Sequence, residues 1–522
     1  MKSTYDAIVV GGGIAGLTST AYLCKYGYST LLLEKEEKVG GLVNTFWHDG
    51  FAFDGGIRAF ENSGVLFPML KNLKIDIDFL GSPVSIGFLD KWIKLKSREN
   101  IEDYKYILKA NFPHNVKDID LIEKEIKKVM GYLDVIYGID NPLFLEHMKE
   151  PKYLVKTLLP WLLKYQINIR KSNKLNEPVN KYLSKFTKNP ALIDMITQHF
   201  FKNTPTNFAL SYFGLYLDYT YPKGGTGVLA ERLDEYIRAN GGEILTNSPV
   251  NEIYHLKNEI KTKDGMTLKY KRLIWAADQK TLYKILHGEK TADIKKQSKI
   301  VESSRGGDSI LTLFIGANLP RDKFGTTFGA HGFYTPNLAG LSSLPDWKDL
   351  VLKEKSELEN WISKYLELTT YEISIPAMRD PYLAPEGKMG IIISTLMDYG
   401  LVSHISERGG YEKFKEFVTG KISQIINNTI IPGLVDNTQF SICSTPLTYK
   451  KKTGNSQGAI TGWEFTDNMP TENRFNKIMK SIETPIQDVF QCGQWTFSPS
   501  GLPVSILTGK LAADQIRKSL ER

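Results

Sequence analysis

Three glycines near the amino terminus have the spacing of a phosphate-binding turn. Gly11, Gly13 and Gly16 form the pattern GxGxxG directly after the apolar residues 7–10, which are typical of a buried parallel strand. In such a turn the first glycine permits a tight bend, the second lets the backbone approach a pyrophosphate, and the third lets helix and strand pack closely. The free N–H groups of a following helix would bind that phosphate. The pattern therefore predicts a dinucleotide site.

An acidic residue occurs where such a site needs one. A helix is expected from about Ile14 to near Gly27, followed by the apolar stretch "STLLLEK" that reaches Glu34. Glu34 follows the glycines at about the 20-residue spacing at which a carboxylate accepts hydrogen bonds from the ribose hydroxyls and repels a 2′-phosphate. Strand, turn, helix and acid together predict a dinucleotide-binding unit.

Further glycine loops favour a cofactor longer than NAD. Gly40 and Gly41 follow soon after Glu34, and "GFAFDGGIRAF" continues the loop. NAD domains do not need this second loop, whereas an extended FAD continues past the first turn. Near the other end of the chain, "VFQCGQWTFSPSGLPVSILTG" predicts a strand, a loop and the start of a helix. Pro503 suits the first turn of that helix, where its missing N–H costs nothing.

At these residues the sequence resembles the glutathione-reductase-type FAD proteins. Within them it is similar to the phytoene desaturase, carotenoid isomerase and retinol saturase family of the amine oxidase superfamily. The resemblance continues through "YPKGGTGVLAERL", "KRLIWAADQKTL", "DPYLAPEGK" and "TPLTYKKKTGNSQGAITGW", in the order of that family. It covers most of the chain outside about residues 60–207.

The resemblance implies an α/β fold with three parts. These are a discontinuous glutathione-reductase-type FAD-binding Rossmann domain, a mixed β-sheet substrate domain and a helical cap. The FAD-binding domain is expected to comprise residues 1–60, 208–302 and 481–522. Residues 61–207 would form the helical cap and substrate region, and residues 303–480 the substrate-binding sheet domain.

The resemblance also implies non-covalently bound FAD. The terminal helix would lie under the isoalloxazine, and its positive dipole end would stabilise the anion formed on reduction. The predicted cofactor-binding residues are Gly11, Gly12, Gly13, Ile14, Ala15, Gly16, Glu34, Lys35, Gly40, Gly41, Leu42, Gly56, Ile57, Arg58, Val250, Ala276, Gly493, Leu502, Pro503 and Val504.

The loop that begins at Asp54 departs from the D-x-G-P pattern of carotenoid desaturases, because it reads Asp54-Gly55-Gly56-Ile57-Arg58. Arg58 could hold a polar end of the substrate, or pair with a flavin phosphate or a protein carboxylate. We expect Arg58, Trp463 and Glu464 near the reactive end of the flavin. No His, Cys or Ser nucleophile constellation stands out, and flavin chemistry needs none.

The implied function is that of an FAD-dependent oxidoreductase acting on carbon–carbon bonds of a hydrophobic polyene or isoprenoid-like lipid. It would be phytoene desaturase-like, with desaturation by hydride transfer to flavin N5. Three alternatives remain: a flavin-dependent saturase or cis–trans isomerase, a flavin amine oxidase, and a non-enzymatic prenyl-lipid-binding chaperone. Because no second GxGxxG follows a predicted strand, we expect an external electron acceptor, which could be oxygen, a quinone or a protein.

Composition excludes some other classes. The formal net charge is +8 and the pI is near 8.9, but no run of basic residues indicates a nucleic-acid arm. The sequence has 3 cysteines and no CxxC, which fits a reducing compartment. Without a Cys/His cluster we expect no metal. We therefore expect a cytoplasmic protein, with peripheral contact to the inner face of a membrane as a further expectation; the oligomeric state is open.

Residues 150–171 carry an apolar set flanked by basic residues. We expect this set to pack on the core of the cap, because most such stripes do. The alternative is contact with a membrane interface, which suits a basic segment that bears a tryptophan. The set comprises Leu154, Leu158, Leu159, Trp161, Leu162 and Ile167.

Overall fold

Two large sheets organise the protein. The computed structural model describes residues 2–325, 328–350 and 355–521. In chain order the strands are β1 Thr4–Val10, β2 Thr30–Leu33, β3 Thr45–His48, β4 Phe51–Asp54, β5 Phe79–Gly81, β6 Val84–Phe88, β7 Lys91–Leu95, β8 Thr220–Pro222, β9 Glu243–Leu245, β10 Val250–Tyr254, β11 Glu259–Thr262, β12 Thr267–Trp275, β13 Leu286–His287, β14 Ser309–Ala317, β15 His331–Thr335, β16 Tyr371–Ser374, β17 Met389–Met397, β18 Thr438–Ser444 and β19 Val489–Gln491.

Helices cover the faces of both sheets and form the cap. In chain order the α-helices are α1 Ile14–Lys25, α2 Leu66–Leu73, α3 Asn100–Asn111, α4 Val116–Ile136, α5 Pro151–Tyr153, α6 Leu159–Asn173, α7 Val179–Leu183, α8 Pro190–Thr197, α9 Thr206–Leu215, α10 Val228–Ala239, α11 Gln279–Lys284, α12 Ala292–Ser303, α13 Asp322–Gly325, α14 Lys355–Leu368, α15 Tyr399–Glu407, α16 Tyr411–Thr429, α17 Leu434–Asn437, α18 Pro446–Thr453, α19 Ile478–Ser481 and α20 Leu502–Leu520. A π-helical turn, Leu154–Leu158, joins α5 to α6.

The first sheet has the amino-terminal strand near its centre. Its order is β13-β10-β11-β12-β1-β2-β9, and β19 pairs with β12. Strand β1 lies parallel to both β12 and β2, so that Val9 is opposite Ile274 and Leu32. These strands are continuous apolar runs because helices cover both faces of a parallel sheet.

The two ends of the chain meet at this sheet. Strand β19 extends it, and α20 packs along α1 so closely that a Cβ at Gly509 would lie 2.5 Å from the carbonyl oxygen of Ala15. Only a glycine on α20 permits this approach. Helix α1 begins at Ile14, as predicted. The predicted fold class, a Rossmann-like domain completed by the carboxy-terminal strand and helix, is confirmed.

The second sheet has the order β18-β14-β17-β16-β15-β6-β7. All its neighbours are antiparallel except β15 and β6. One face packs on α14 and α16 through a core that includes Leu313, Ile373 and Ile391. Because side chains alternate along a strand, the intervening residues point to the opposite face, which lines a cavity.

The cap differs in one respect from the expected helical region. Helices α3, α4, α7, α8 and α9 share a core that includes Ile126, Leu192 and Leu210. Strands β6 and β7, however, form a hairpin within residues 61–207 and join the second sheet. The alternation in "VSIGF" is too short to identify this strand from the sequence. The division into five segments stays a prediction.

The expectation that residues 150–171 pack on the core of the cap is wrong. Val155 and Leu163 are each 65% exposed, Ile167 is 57% exposed and Leu159 is 55% exposed. The helix contacts α4 along one narrow side, where Trp161 donates its Nε1–H to the carbonyl oxygen of Val135 at 2.7 Å. These four residues are spaced four apart along the helix and form one apolar stripe, which faces away from the protein.

Candidate active site

One cavity of about 1370 Å³ extends from the first sheet to the second. Its walls come from the turn after β1, the loop before β4, the cap helix α9 and the inner face of β15, β16 and β17. Pockets that hold a drug-sized ligand measure roughly 300–1,000 Å³. This cavity therefore has room for a dinucleotide and a second molecule.

The glycine turn after β1 forms an open cradle at one end of this cavity. A Cβ at Gly16 would lie 1.9 Å from the carbonyl oxygen of Gly11, so the helix packs closely on the turn. In contrast, a Cβ at Gly13 would meet no atom within 4 Å. The space in front of Gly13 and the start of α1 is open to a ligand, which is the geometry that a pyrophosphate needs.

Glu34 is held in place beside this cradle. Its Oε2 accepts the backbone N–H of Gly12 at 2.7 Å, and its Oε1 accepts that of Glu36 at 2.9 Å. The residue is 9% exposed and lines the cavity. Its carboxylate is therefore oriented before any ligand binds. These residues fit the adenosine end of FAD.

Most of the predicted cofactor-binding residues meet in this cavity. Gly16 lies behind the cradle, and Pro503 and Val504 line a smaller cavity next to the main one. The predicted residues that line the main cavity are Gly11, Gly12, Gly13, Ile14, Ala15, Glu34, Lys35, Gly40, Gly41, Leu42, Gly56, Ile57, Arg58, Val250, Ala276, Gly493 and Leu502.

Helix α20 begins at the cavity. Gly501, Leu502 and Ser505 line it, and no side chain caps the helix. The start of a helix carries unpaired N–H groups and the positive end of the dipole. The carboxy-terminal segment therefore presents a positive helix end to the same space as the glycine cradle.

Two of the three residues predicted at the reactive end do not line the main cavity. Trp463 is buried, donates its indole N–H to the carbonyl oxygen of Trp495 at 2.9 Å, and packs edge-on against that ring. The backbone N–H of Glu464 donates to the carbonyl oxygen of Arg305 at 3.0 Å. Neither residue lines either cavity, so this placement does not support a role for them in the chemistry.

Arg58 does line the main cavity. It is 2% exposed, and its Nη1 donates to the carbonyl oxygens of Asp54 and Gly56. Its Nη2 donates to Ser394 Oγ at 3.1 Å, while its Nε–H has no partner among the described residues. Arg58 thus connects the loop after β4 to the inner face of the second sheet.

Sequence reasoning missed the ionisable residues on that face. His331 of β15 donates Nε2–H to Glu372 Oε1 of β16 at 2.9 Å, and both residues line the cavity. Alternation in "YEIS" puts Glu372 and Ser374 on one face. The sequence contains no signal for which of the two faces meets the cavity.

The charges of this pair follow from burial and from its neighbours. Burial alone would raise the pKa of Glu372, but the hydrogen bond from His331 and the charges of Arg58 and Arg379 leave that pKa below its ordinary value. Burial lowers the pKa of His331 against the attraction of Glu372. The pair is therefore a carboxylate that accepts a hydrogen bond from a neutral imidazole.

A smaller cavity of about 260 Å³ adjoins the main one under the cap. It is also lined by residues of α4 and α6, such as Leu133 and Ser172. The lining residues that the two cavities share are Glu61, Phe208, Tyr212, Ser500 and Gly501. Burial, together with a smaller contribution from the negative charge of Asp218, raises the pKa of Glu61 to about 7.

Within residues 2–325, 328–350 and 355–521, no group of three or more His, Cys, Asp or Glu side chains is arranged to hold a metal ion. In the same part of the chain, no helix has the length and hydropathy needed to span a bilayer.

The fold combines a Rossmann-like domain with a second large sheet, and one cavity extends from the first sheet to the second. Residues 9–73 match the family model of the NAD(P)-binding Rossmann-like domain. Among solved structures, putrescine oxidase has the same overall fold, with a TM-score of 0.62 at 11% identity and 99% of each chain covered.

The curated proteins with similar sequences include an isomerase, a reductase and a desaturase. The chain is 26% identical to prolycopene isomerase of Arabidopsis thaliana over 88% of this chain and 74% of that protein. It is 24% identical to all-trans-retinol 13,14-reductase of Danio rerio, over 94% and 83% of the two chains. It is 24% identical to 1-hydroxycarotenoid 3,4-desaturase of Flavobacterium sp. (strain P99-3), over 98% of both. Over most of its length the chain is similar to prolycopene isomerases, retinol reductases and a carotenoid desaturase, and it is an enzyme.

Proposed function

We propose that the protein is an FAD-dependent oxidoreductase that acts on carbon–carbon bonds of a hydrophobic polyene or isoprenoid-like lipid. The observation that carries this proposal is the continuity of one cavity from the glycine cradle to an aromatic wall. Phe200, Tyr216 and Phe333 belong to that wall. Such a wall can bind a long apolar substrate and exclude water next to a cofactor.

In this proposal three parts of the chain hold FAD. The open backbone at Gly13 binds the pyrophosphate, Glu34 the adenosine ribose, and Val250 contacts the adenine. The start of α20 faces the flavin ring. Bound in this way, FAD supplies two-electron chemistry, taking up or giving a hydride. The chain itself orients the lipid and excludes water.

The direction of the reaction is a finer proposal. Desaturation is our first candidate, and saturation or cis–trans isomerisation of a related lipid is the alternative. The names of the relatives include a desaturase, a reductase and an isomerase, so the same family supports all three. A desaturation passes its electrons to oxygen, a quinone or a protein partner.

We also propose that the substrate is reached from a membrane surface. Residues 151–173, which we call the basic helix, contain five Lys or Arg and no Asp or Glu. Their apolar stripe is exposed, and Ser172 of the same helix lines the smaller cavity that adjoins the main one. A helix with an apolar stripe and basic flanks suits the interface of an anionic bilayer.

Release of the cofactor tests the first part of the proposal. Acid denaturation of the purified protein should release free FAD, because no His or Cys in the loop after Glu34 suggests a covalent bond. A colourless protein that also fails to take up added FAD would contradict the proposal.

Turnover tests the substrate class. The FAD-loaded protein is incubated with polyenes, retinoids and fatty acids under oxidising and reducing conditions, and products are separated by chromatography. We expect a change of double bonds in a polyene. Oxidation of amines with no reaction on any polyene would instead assign the protein to the amine oxidases.

A further inference from the structure

Glu61 lies where the two cavities meet, and it lines both of them. The residue is partly accessible, so its surface can meet a ligand or water there. A Cβ at Gly501, the residue before α20, would be 3.8 Å from Glu61 Oε1. The carboxyl group therefore lies at the start of the helix that, in the proposed function, faces the flavin ring.

A second carboxyl group lies beside Glu61. The backbone N–H groups of Asn62 and Ser63 donate to Asp218 Oδ2 at 2.9 Å and 3.2 Å, which holds that carboxylate next to the loop. Burial is the larger cause, and the charge of Asp218 the smaller one, of a Glu61 pKa of about 7, and no described Lys or Arg charge offsets them. Near neutral pH Glu61 can therefore both hold and release a proton.

Three tyrosines lie near Glu61 and remain uncharged at neutral pH. Burial raises the pKa of Tyr137, Tyr212 and Tyr219 well above the range in which Glu61 titrates. Asp467 also lines the smaller cavity, at an exposed position. None of the tyrosines can therefore take the place of Glu61 as a group that exchanges protons at this pH.

The ionisable groups on the second sheet keep their charges in the same range. Burial lowers the pKa of His199 to about 4, and it also lowers the pKa of His331, so both imidazoles stay neutral. Arg58 stays positive, and Glu372 stays negative because its pKa lies below the ordinary value. Near the start of α20, the group whose charge changes at neutral pH is therefore Glu61.

The smaller cavity is polar and reaches the surface of the protein. Its volume of about 260 Å³ leaves room for several water molecules. Its lining includes the exposed residues Asn176 and Asn473 and the buried residues Ser172 and Ser498. Because buried waters need polar partners, this wall supports a hydrogen-bonded route between solvent and Glu61.

We propose that Glu61 takes up a proton from solvent through the smaller cavity when the flavin is reduced, and returns it when the flavin is reoxidised. The reductant gives two electrons to the flavin, and a proton from water forms an O–H bond on the Glu61 carboxylate. The neutral carboxyl group then no longer repels the negative charge gained by the cofactor at the start of α20. The inference rests on the proposed function, because it needs FAD in the main cavity.

The midpoint potential of the flavin tests the inference without any lipid substrate. It is measured by spectroelectrochemistry on the FAD-loaded protein, at pH values on both sides of the Glu61 pKa of about 7. Each proton taken up with two electrons lowers the potential by about 30 mV per pH unit. Above that pKa we expect the unmodified protein to have a steeper slope than Glu61→Gln, by up to this amount. Well below it, where Glu61 is already protonated, the two potentials should agree.

Two further variants locate the effect. Asp218→Asn keeps an acceptor for the N–H groups of Asn62 and Ser63 but removes the charge that helps to raise the pKa of Glu61. The steeper part of its pH profile should therefore begin at a lower pH. Glu407→Gln, on the exposed surface of α15, is the control and should have the profile of the unmodified protein.

The outcomes separate the inference from the proposed function. Equal slopes for the unmodified protein and Glu61→Gln, both loaded with FAD, would overturn the inference alone. An unchanged onset in Asp218→Asn would also overturn it, and this variant still decides if Glu61→Gln fails to fold. A protein that neither contains FAD nor takes it up would overturn the proposed function together with the inference.

Discussion

Glu34 stabilises the glycine turn, and in the proposed function it also binds the cofactor. Its two oxygens accept the N–H groups of Gly12 and Glu36, and this holds the glycine turn against the end of β2. The same oxygens have further lone pairs that can accept hydrogen bonds from a ribose. Removing the carboxylate therefore loosens the turn and, in the proposed function, also removes the contact with the ribose.

We expect Glu34→Ala to weaken FAD affinity by on the order of 2–4 kcal/mol, the loss of two charge-assisted hydrogen bonds. This corresponds to a factor of roughly 30 to 1,000 in Kd. Fluorescence titration of the apoprotein with FAD measures it. Glu235→Ala, at an exposed position of α10, is the control. Unchanged FAD retention in Glu34→Ala would show that the ribose binds elsewhere.

Glu61 makes stability depend on pH. Its pKa is raised from 4.5 to about 7, mainly by burial. Between these two values the folded protein retains a proton that the unfolded chain releases. The contribution of this proton to the free energy of unfolding is fully present below about pH 4.5, and it is lost as the pH rises through about 7.

We expect Glu61→Gln to be as stable as the unmodified protein near pH 4.5 and more stable at pH 8. The difference should be at most about 3 kcal/mol, from about 1.4 kcal/mol per pKa unit. Thermal unfolding midpoints at matched flavin content across this pH range measure it, with Glu407→Gln as the control. A difference that does not change with pH would show that Glu61 titrates normally.

At the scale of elements, α20 and the basic helix contrast in how their apolar residues are used. Ile506, Leu511 and Ala512 of α20 are buried against the first sheet and α1. The apolar stripe of the basic helix has no protein surface against it among the described residues. The first helix completes a core, whereas the second keeps its apolar stripe exposed.

We expect the protein to float with vesicles that contain about 30% phosphatidylserine, and less so at high salt. The triple change Val155→Ser, Leu163→Ser and Ile167→Ser should abolish flotation, because each side chain contributes about 1–2 kcal/mol when it is buried in the acyl boundary. The double change Lys156→Glu and Lys164→Glu should remove the salt-dependent part of the binding to vesicles.

Leu256→Ser is the matched control, because Leu256 is 69% exposed on a different part of the surface. It should float as the unmodified protein does. Flotation that survives both sets of changes in the basic helix would assign membrane contact to another surface, and absence of flotation in the unmodified protein would remove the proposal.

At the scale of the whole molecule, the turn after β1 is the one glycine-rich turn before a helix that is open to a dinucleotide among the described residues. The other glycine-rich turn, near Gly227, precedes α10, but protein atoms fill it. Thr226 N–H donates to Asp54 Oδ1, and a Cβ at Gly227 would lie 2.7 Å from the backbone nitrogen of Thr45. With FAD in the first cradle, no second site of this kind remains in the described part of the chain.

We therefore expect neither NADH nor NADPH to reduce the bound flavin directly. Anaerobic mixing with millimolar NADPH should leave the flavin absorption band unchanged over minutes, whereas dithionite should bleach it. Bleaching by NADPH within seconds would reveal a nicotinamide site, and it would favour a reductase over a desaturase.

The glycine turn after β1, the helix that follows it and Glu34 could be predicted from the amino-acid sequence alone. GxGxxG, the helix from Ile14 and Glu34 are local features whose spacing sets their geometry, because strand, turn and helix are adjacent in the chain. The carboxy-terminal strand and helix could be assigned to the same domain only because the sequence resembles a family in which they close it. These predictions correspond to the observed fold.

The residues of the second sheet that line the cavity could be identified only from the tertiary structure. Glu372 and His331 are 41 residues apart in the chain and meet because β15 and β16 pair in one particular register, which no local pattern reveals. The exposure of Leu163 also depends on which side of its helix α4 covers. The pairing of distant strands and the side of a helix that other elements cover are set by the assembled chain. Composition and periodicity could therefore identify the helices and strands, but not the surfaces against which they pack.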